Sequence, residues 1–154
     1  MFTLVPVNFF EPAAARQALA DVAILKDGDK VDYKEIPAYS AVLVYSISGD
    51  ATAPPEMFSI LQELSSCPEY NKLLCSWRGG ELSLAIAQGR SLLLANSYKA
   101  PDFVTAQYFI FLTMKSLQLN PEVTTIRFRH PLSAEQEMAL YRYFKAVECR
   151  EETV

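Results

Sequence analysis

Leu73-Leu-Cys-Ser-Trp-Arg-Gly-Gly-Glu-Leu-Ser-Leu-Ala-Ile-Ala-Gln-Gly-Arg-Ser-Leu-Leu-Leu-Ala-Asn-Ser97 decides how this chain is read. Three short apolar runs, Leu73–Trp77, Glu81–Ala87 and Ser91–Ser97, are separated by Gly79-Gly80 and by Gly89. A two-residue hairpin needs left-handed backbone at its centre, which glycine adopts without cost, so the stretch predicts a three-stranded antiparallel meander.

Downstream the texture alternates. Asp102 is placed to cap a helix running to about Gln118. Phe103, Gln107, Ile110, Met114 and Leu117 fall on one side of it, with Val104, Tyr108 and Phe111 beside them. A stripe that wide predicts heavy burial. Asn120-Pro121 ends the helix, and Val123–Phe128 reads as a strand. Ser133-Ala-Glu-Gln136 is a capping-box pattern opening a helix through Phe144. Ala146–Cys149 reads as a last strand before an acidic tail. From Leu73 onward the order is β-β-β-α-β-α-β, a meander feeding two crossover helices, which implies a mixed sheet with helices on its faces.

Upstream, Phe2–Val5 looks like the end of a strand that Pro6 stops. Glu11-Pro12 and Ala13–Ala20 read as a helix with proline in its first turn. Asp27-Gly28-Asp29 is a turn signal, and a polar stretch follows to Pro37. Tyr39–Ile47 is continuously rich in valine, tyrosine and isoleucine, as a strand covered on both faces should be. Gly49-Asp50 closes it. Pro54-Pro55-Glu56 opens a helix with Met57, Ile60, Leu61 and Leu64 on one stripe, ended by Cys67-Pro68. These 70 or so residues read as β-α-(β)-β-α, the later plan without its opening meander. No sequence repeat joins the halves.

The order from Leu73 is that of the ribonuclease-H-like unit, and two such units in tandem make the actin-like ATPase architecture. The chain also resembles a family of uncharacterised bacterial proteins with that fold. Phe2-Thr-Leu-Val-Pro6 with Phe9-Phe10-Glu11 is similar to the family's strand-to-helix entry. Leu92-Leu-Leu-Ala-Asn-Ser-Tyr98 with Asp102-Phe103 resembles its third meander strand and next helix start. Tyr108–Leu112 with Leu117-Gln-Leu-Asn-Pro121 resembles that helix and its terminator. The resemblance implies an incomplete N-terminal lobe over residues 1–69, lacking its first meander, and a C-terminal ribonuclease-H-like lobe over 70–154. It carries no established activity. An incomplete sheet has an uncovered edge, which must be shielded or paired with another chain.

The resemblance also implies where a nucleotide would sit. Actin-like ATPases hold phosphate between two hairpin loops, with an aspartate coordinating the metal through water. The matching hairpin is Ser76–Ser83; Arg78, Gly79, Gly80 and Ser83 are the candidate nucleotide-binding residues, with ATP and magnesium as the candidate ligand. That hairpin holds no aspartate, and a plain tight turn is the simpler reading. No G-x-x-x-x-G-K-[ST] or G-x-G-x-x-G loop occurs. Nuclease chemistry would need clustered carboxylates for two metals, and Glu81 and Asp102 alone do not supply them. No metal site or catalytic residue is expected.

The remaining features are weaker. His130, the single histidine, follows Arg127-Phe-Arg129; a dyad with Cys75 or Cys149 lacks an orienting third group, and an exposed loop histidine is simpler. Arg127 and Arg129 share one strand face, read as solvated, or else as a small anion or partner contact. Nine Phe, eight Tyr and one Trp exceed what the core of 154 residues requires; they read as core and subdomain interface, or else as an aromatic-rich protein interface.

Composition sets the outer limits. Hydrophobic residues make up 51% and charged residues 21%, as in a globular core. With 14 basic and 18 acidic residues the net charge is −4, which argues against gripping nucleic acid by bulk electrostatics. Cys67, Cys75 and Cys149 have no C-x-x-C spacing, and so read as reduced thiols. No basic n-region opens the chain, and no apolar run approaches the ~20 residues of a membrane span. The expectation is a cytoplasmic, non-catalytic actin-like scaffold that works through a protein partner or self-association. The alternative is an ATP-binding protein of the same class.

Overall fold

Gly79 and Gly80 take φ of +59° and +75°, and that left-handed pair folds Asn71–Arg78 (β4) back on Glu81–Gln88 (β5). Register is set by the turn: Arg78 faces Glu81, Trp77 faces Leu82 and Ser76 faces Ser83. A second tight turn at Gly89 brings Ser91–Lys99 (β6) antiparallel against β5. The meander therefore forms as the glycine spacing predicts, in a computed structural model that describes residues 1–47 and 55–150.

Two strands complete this sheet. Thr125–Phe128 (β7) pairs parallel with β4, and Ala146–Cys149 (β8) pairs parallel with β7, giving the order β6-β5-β4-β7-β8. Parallel neighbours need crossovers, and Phe103–Ser116 (α3) and Ala134–Tyr141 (α4) supply them. Asp102 caps α3 by accepting from the Thr105 N–H at 2.7 Å. Gln118 turns left-handed at φ +56° to end it, and Leu119 N–H reaches back to the Met114 carbonyl at 2.9 Å. The capping box of α4 is complete: Ser133 Oγ accepts from Gln136 N–H and Gln136 Oε1 accepts from Ser133 N–H. The helix stops at Tyr141, short of Phe144, whose N–H still bonds the Leu140 carbonyl while its ring enters the core.

One sheet face holds the larger apolar cluster, and Leu74, Ala85 and Ala87 are buried on the other. Leu73, Cys75, Leu84, Ile86, Ile126 and Phe128 alternate toward the larger cluster, against Ala106, Ile110 and Met114 of α3 and Leu140 beyond. Heavy burial of α3 is thus met on one side only. Val104, Tyr108 and Leu112 are exposed, because the sheet covers the opposite side of the helix.

The chain divides into two compact units, Met1–Gln62 and Glu63–Val154, and Glu56–Ser65 (α2) crosses the division. Its apolar stripe, Met57, Ile60, Leu61 and Leu64, is fully buried, as its spacing predicts. In the first unit, Phe2–Pro6 (β1), Lys30–Ile36 (β2) and Ala41–Ile47 (β3) form an antiparallel sheet with β3 central. The buried run Val42–Tyr45 explains why this strand reads as continuously apolar. Ala15–Ala20 (α1) lays Ala15 and Leu19 on Val42 and Val44. Arg16 of α1 donates to the Lys26 and Asp29 carbonyls and so clasps the Asp27-Gly28-Asp29 turn. The polar stretch before Pro37 is itself a strand, β2. It lies at a sheet edge with its charges in water, so its pattern resembles a loop. The strand closure at Gly49-Asp50 and the residue Pro54 lie outside the described residues.

Candidate functional site

At the β4–β5 tip the backbone is held from one side. Trp77 Nε1 donates to the Ala100 carbonyl at 2.8 Å, and Ala100 N–H donates to the Gly80 carbonyl at 2.8 Å. Trp77 also packs on Phe103, with ring centroids 5.5 Å apart. The hairpin is thereby fixed to the segment leading into α3. Nothing lies within 4 Å of a Cβ built on Gly79, so open space faces the turn. Arg78 is exposed beside it.

Of the four residues expected to hold phosphate, Arg78, Gly79 and Gly80 meet at the tip. Ser83 stands apart, two residues down β5 or about 7 Å along the strand. It is 8% exposed, and its hydroxyl is 3.1 Å from Ser97 Oγ.

Ser83 belongs instead to a row of serines. Ser76 on β4, Ser83 on β5 and Ser97 on β6 are direct neighbours in register, crossing three strands on the face opposite Cys75 and Leu84. His130 closes the row, with Nε2 3.1 Å from Ser76 Oγ. The histidine therefore meets a buried hydroxyl and is half-buried, which corrects the expectation of an exposed loop position. Cys75 points the other way, into the core, where burial pushes its thiol far above the ordinary range. Cys149 Sγ donates to Glu137 Oε1 at 3.0 Å.

Arg127 and Arg129 share a face, as alternation predicts, but that face is not solvated. Arg127 bonds Glu69 at 2.5 Å and pairs with Glu148 across the β7–β8 register; Arg129 Nε donates to Glu63 Oε2 at 2.9 Å. Arg150 takes the other oxygen of Glu63 at 2.5 Å. A cavity of about 230 Å³ opens here, bounded by Glu63, Leu74, Arg127, Glu148, Cys149 and Arg150. Partial burial raises the Glu69 carboxyl, but the hydrogen bond and charge of Arg127 outweigh it and hold the group below the usual range. The hydrogen bond to Glu69 in turn raises Arg127. Glu63 and Glu69 lie 66 and 58 positions from their arginines, so no local pattern joins them. Among the described residues no three metal-ligating side chains gather, and no helix is long and apolar enough to cross a membrane.

Residues 55–147 match the family described as "Protein of unknown function (DUF3822)". The chain belongs to this family. This DUF3822 chain is similar to a solved protein of Bacteroides thetaiotaomicron VPI-5482, described as having an actin-like ATPase fold and unknown function. The two share 18% identity at a TM-score of 0.74, over 97% of this chain and 64% of that one. That likeness bears out the actin-like α/β fold and the resemblance to an uncharacterised family of that fold. This chain spans about two thirds of its structural neighbour's length. No curated protein matches the sequence.

Proposed function

We propose that this DUF3822 chain is a non-catalytic scaffold of the bacterial cytoplasm that works through protein contacts, self-association first among them. The observation that carries this reading is the exposed apolar side of α3. Val104, Tyr108 and Leu112 stand in water beside half-buried aromatic rings of the same helix. The largest apolar patch on a soluble monomer, typically about 300–600 Å², is often its functional surface. The β6 strand adds a nine-residue sheet edge carrying Leu92, Leu93 and Leu94. In this reading residues 1–69 are an incomplete lobe and 70–154 the ribonuclease-H-like lobe, and nucleic acid is not a partner of this acidic chain. Light scattering over a wide concentration range tests it. A mass that rises with concentration is expected, and a strict monomer at high concentration removes self-association.

A second reading is favoured by the Gly79-Gly80 turn, whose open side is flanked by Arg78. ATP with magnesium would place phosphate against the turn N–H groups and the Arg78 guanidinium, with Ser83 behind them. A thermal shift with magnesium-ATP that Arg78→Ala abolishes would favour it over the scaffold.

A further inference from the structure

The β2 strand, Lys30–Ile36, ends the first sheet, whose order is β1-β3-β2. Which of its backbone groups are free follows from the pairing of β3. Ser46 N–H donates to the Met1 carbonyl at 3.0 Å and Val7 N–H to the Ser40 carbonyl at 2.9 Å, so the even-numbered residues of β3 bond toward β1. Bonding direction alternates along an antiparallel strand, so the odd-numbered residues bond toward β2, where their partners are Lys30, Asp32, Lys34 and Ile36. Val31, Tyr33 and Glu35 therefore turn their N–H and C=O groups outward, and no strand among the described residues meets them. Tyr33 agrees with this: its N–H is taken by the neighbouring Asp32 Oδ1 at 2.7 Å, in place of a strand partner.

We infer that β2 is the self-pairing edge of a homodimer, joining two copies antiparallel about a two-fold axis at Tyr33. The inference rests on the self-association reading above and gives it a surface apart from α3. Charge chooses the occupant and the register. Full overlap of the strand sets Tyr33 opposite Tyr33, Val31 opposite Glu35, and Asp32 opposite Lys34 of the second copy, the last two pairs twice by symmetry. Asp32 and Lys34 are exposed, and no salt bridge holds either among the described residues. The neighbouring registers that keep the outward groups opposed set Asp32 on Asp32 or Lys34 on Lys34, like charges at close range. A foreign strand of one charge sign satisfies one of these side chains and repels the other. A second copy satisfies both.

The backbone agrees with the charges. Tyr33 exchanges two N–H···O bonds with its equivalent, and Val31 exchanges two with Glu35 on either side. Asp32 and Lys34 take the narrower sites between, where opposed Cα atoms stand about 4.5 Å apart and side chains meet. As the Tyr33 N–H passes to the second copy's carbonyl, the Asp32 carboxylate is released to Lys34. The edge is held in place beforehand: Arg16 clasps the turn before β2, Phe10 packs on the Tyr33 ring at 4.8 Å, and Pro37 ends the strand. Two three-stranded sheets become one of six. So short an edge makes a transient, concentration-dependent contact.

Sedimentation velocity with a charge swap tests the edge. The wild-type chain is expected to pass from monomer to dimer as concentration rises. Asp32→Lys places like charges across the axis and should weaken the dimer about tenfold. Adding Lys34→Asp restores opposite signs in the same register and should return the affinity to within about threefold of wild type. Tyr33→Pro removes an N–H that bonds no strand of its own sheet, so the circular dichroism spectrum should hold while the dimer is lost. Should that variant unfold, the charge swap decides alone. A dimer unmoved by Asp32→Lys, or one that the double variant does not recover, overturns this edge while self-association stands, with α3 or the β6 edge then indicated. A wild-type chain that stays monomeric at every concentration overturns both.

Discussion

Arg127 Nη2 donates to Glu69 Oε1 at 2.5 Å, across 58 residues of chain, and that bond joins the end of the α2 region to a parallel strand of the sheet. Both side chains are about one quarter exposed, so the pair is partly withdrawn from water and is not a screened surface contact. Arg127 also bounds the cavity beside β8.

The first prediction is an acid dependence. The Glu69 carboxyl is held below its ordinary value in the folded chain, so it binds protons more readily when unfolded. Its contribution is complete at neutral pH and is lost as pH falls below about 4, through the folded-state value. Glu69→Gln should lower the urea midpoint at pH 7 and flatten the acid limb of the stability profile. Arg127→Met should cost about 2 kcal/mol at pH 7, because it leaves Glu69 without its charged donor. Midpoints at matched pH values check both.

The β4–β5 turn gives a second. Gly79→Ala and Gly80→Ala should each cost about 1–2 kcal/mol, since both positions need left-handed backbone. Gly79 has no neighbour for a new methyl to strike, so its cost is conformational. Gly79→Asn should therefore recover most of the loss, which denaturant titration of the three variants measures.

Thiol chemistry gives a third. Cys75 is fully buried and its thiol is pushed well up, whereas Cys67 and Cys149 are partly exposed. Iodoacetamide at neutral pH should label Cys149 and Cys67 slowly and leave Cys75 unmodified until denaturant is added. Burial, offset by Arg127, also raises Cys67, so its rate should stay below that of a free thiol. Peptide mapping by mass spectrometry reads all three sites.

Magnesium-ATP gives the fourth. A scaffold that does not bind nucleotide should unfold at the same temperature with and without it. Binding at 100 times the dissociation constant would add about 2.7 kcal/mol, a rise of roughly 5–10 °C for a chain of this size. Differential scanning fluorimetry separates the two readings.

Much of the fold was legible because it is written in local chemistry. Paired glycines specify the hairpin, Asp102 and the Ser133–Gln136 box specify helix starts, and Asn120-Pro121 specifies an end. The β2 strand was legible only as a bracketed element without bounds, because an edge strand with charged side chains shows no apolar period. Val104 and Tyr108 were read as buried because composition marks a residue as apolar without saying which side of the helix meets the sheet.

The serine row marks the boundary between the two kinds of information. Symmetry about the Gly79-Gly80 turn makes Ser76 face Ser83, and that much follows from sequence. The same counting about the second turn would set Ser83 against Asn96. A register shift between Ile86 and Ala87 moves the pairing by one, so Ser97 comes opposite Ser83. Sequence alone therefore determined the elements, their order and the first hairpin's register, because each depends on neighbours a few bonds apart. Tertiary packing decided which serines align, which glutamates reach Arg127 and Arg129, and which face of α3 stays in water. Those depend on a one-residue shift, or on groups about sixty positions apart, and no local propensity encodes either.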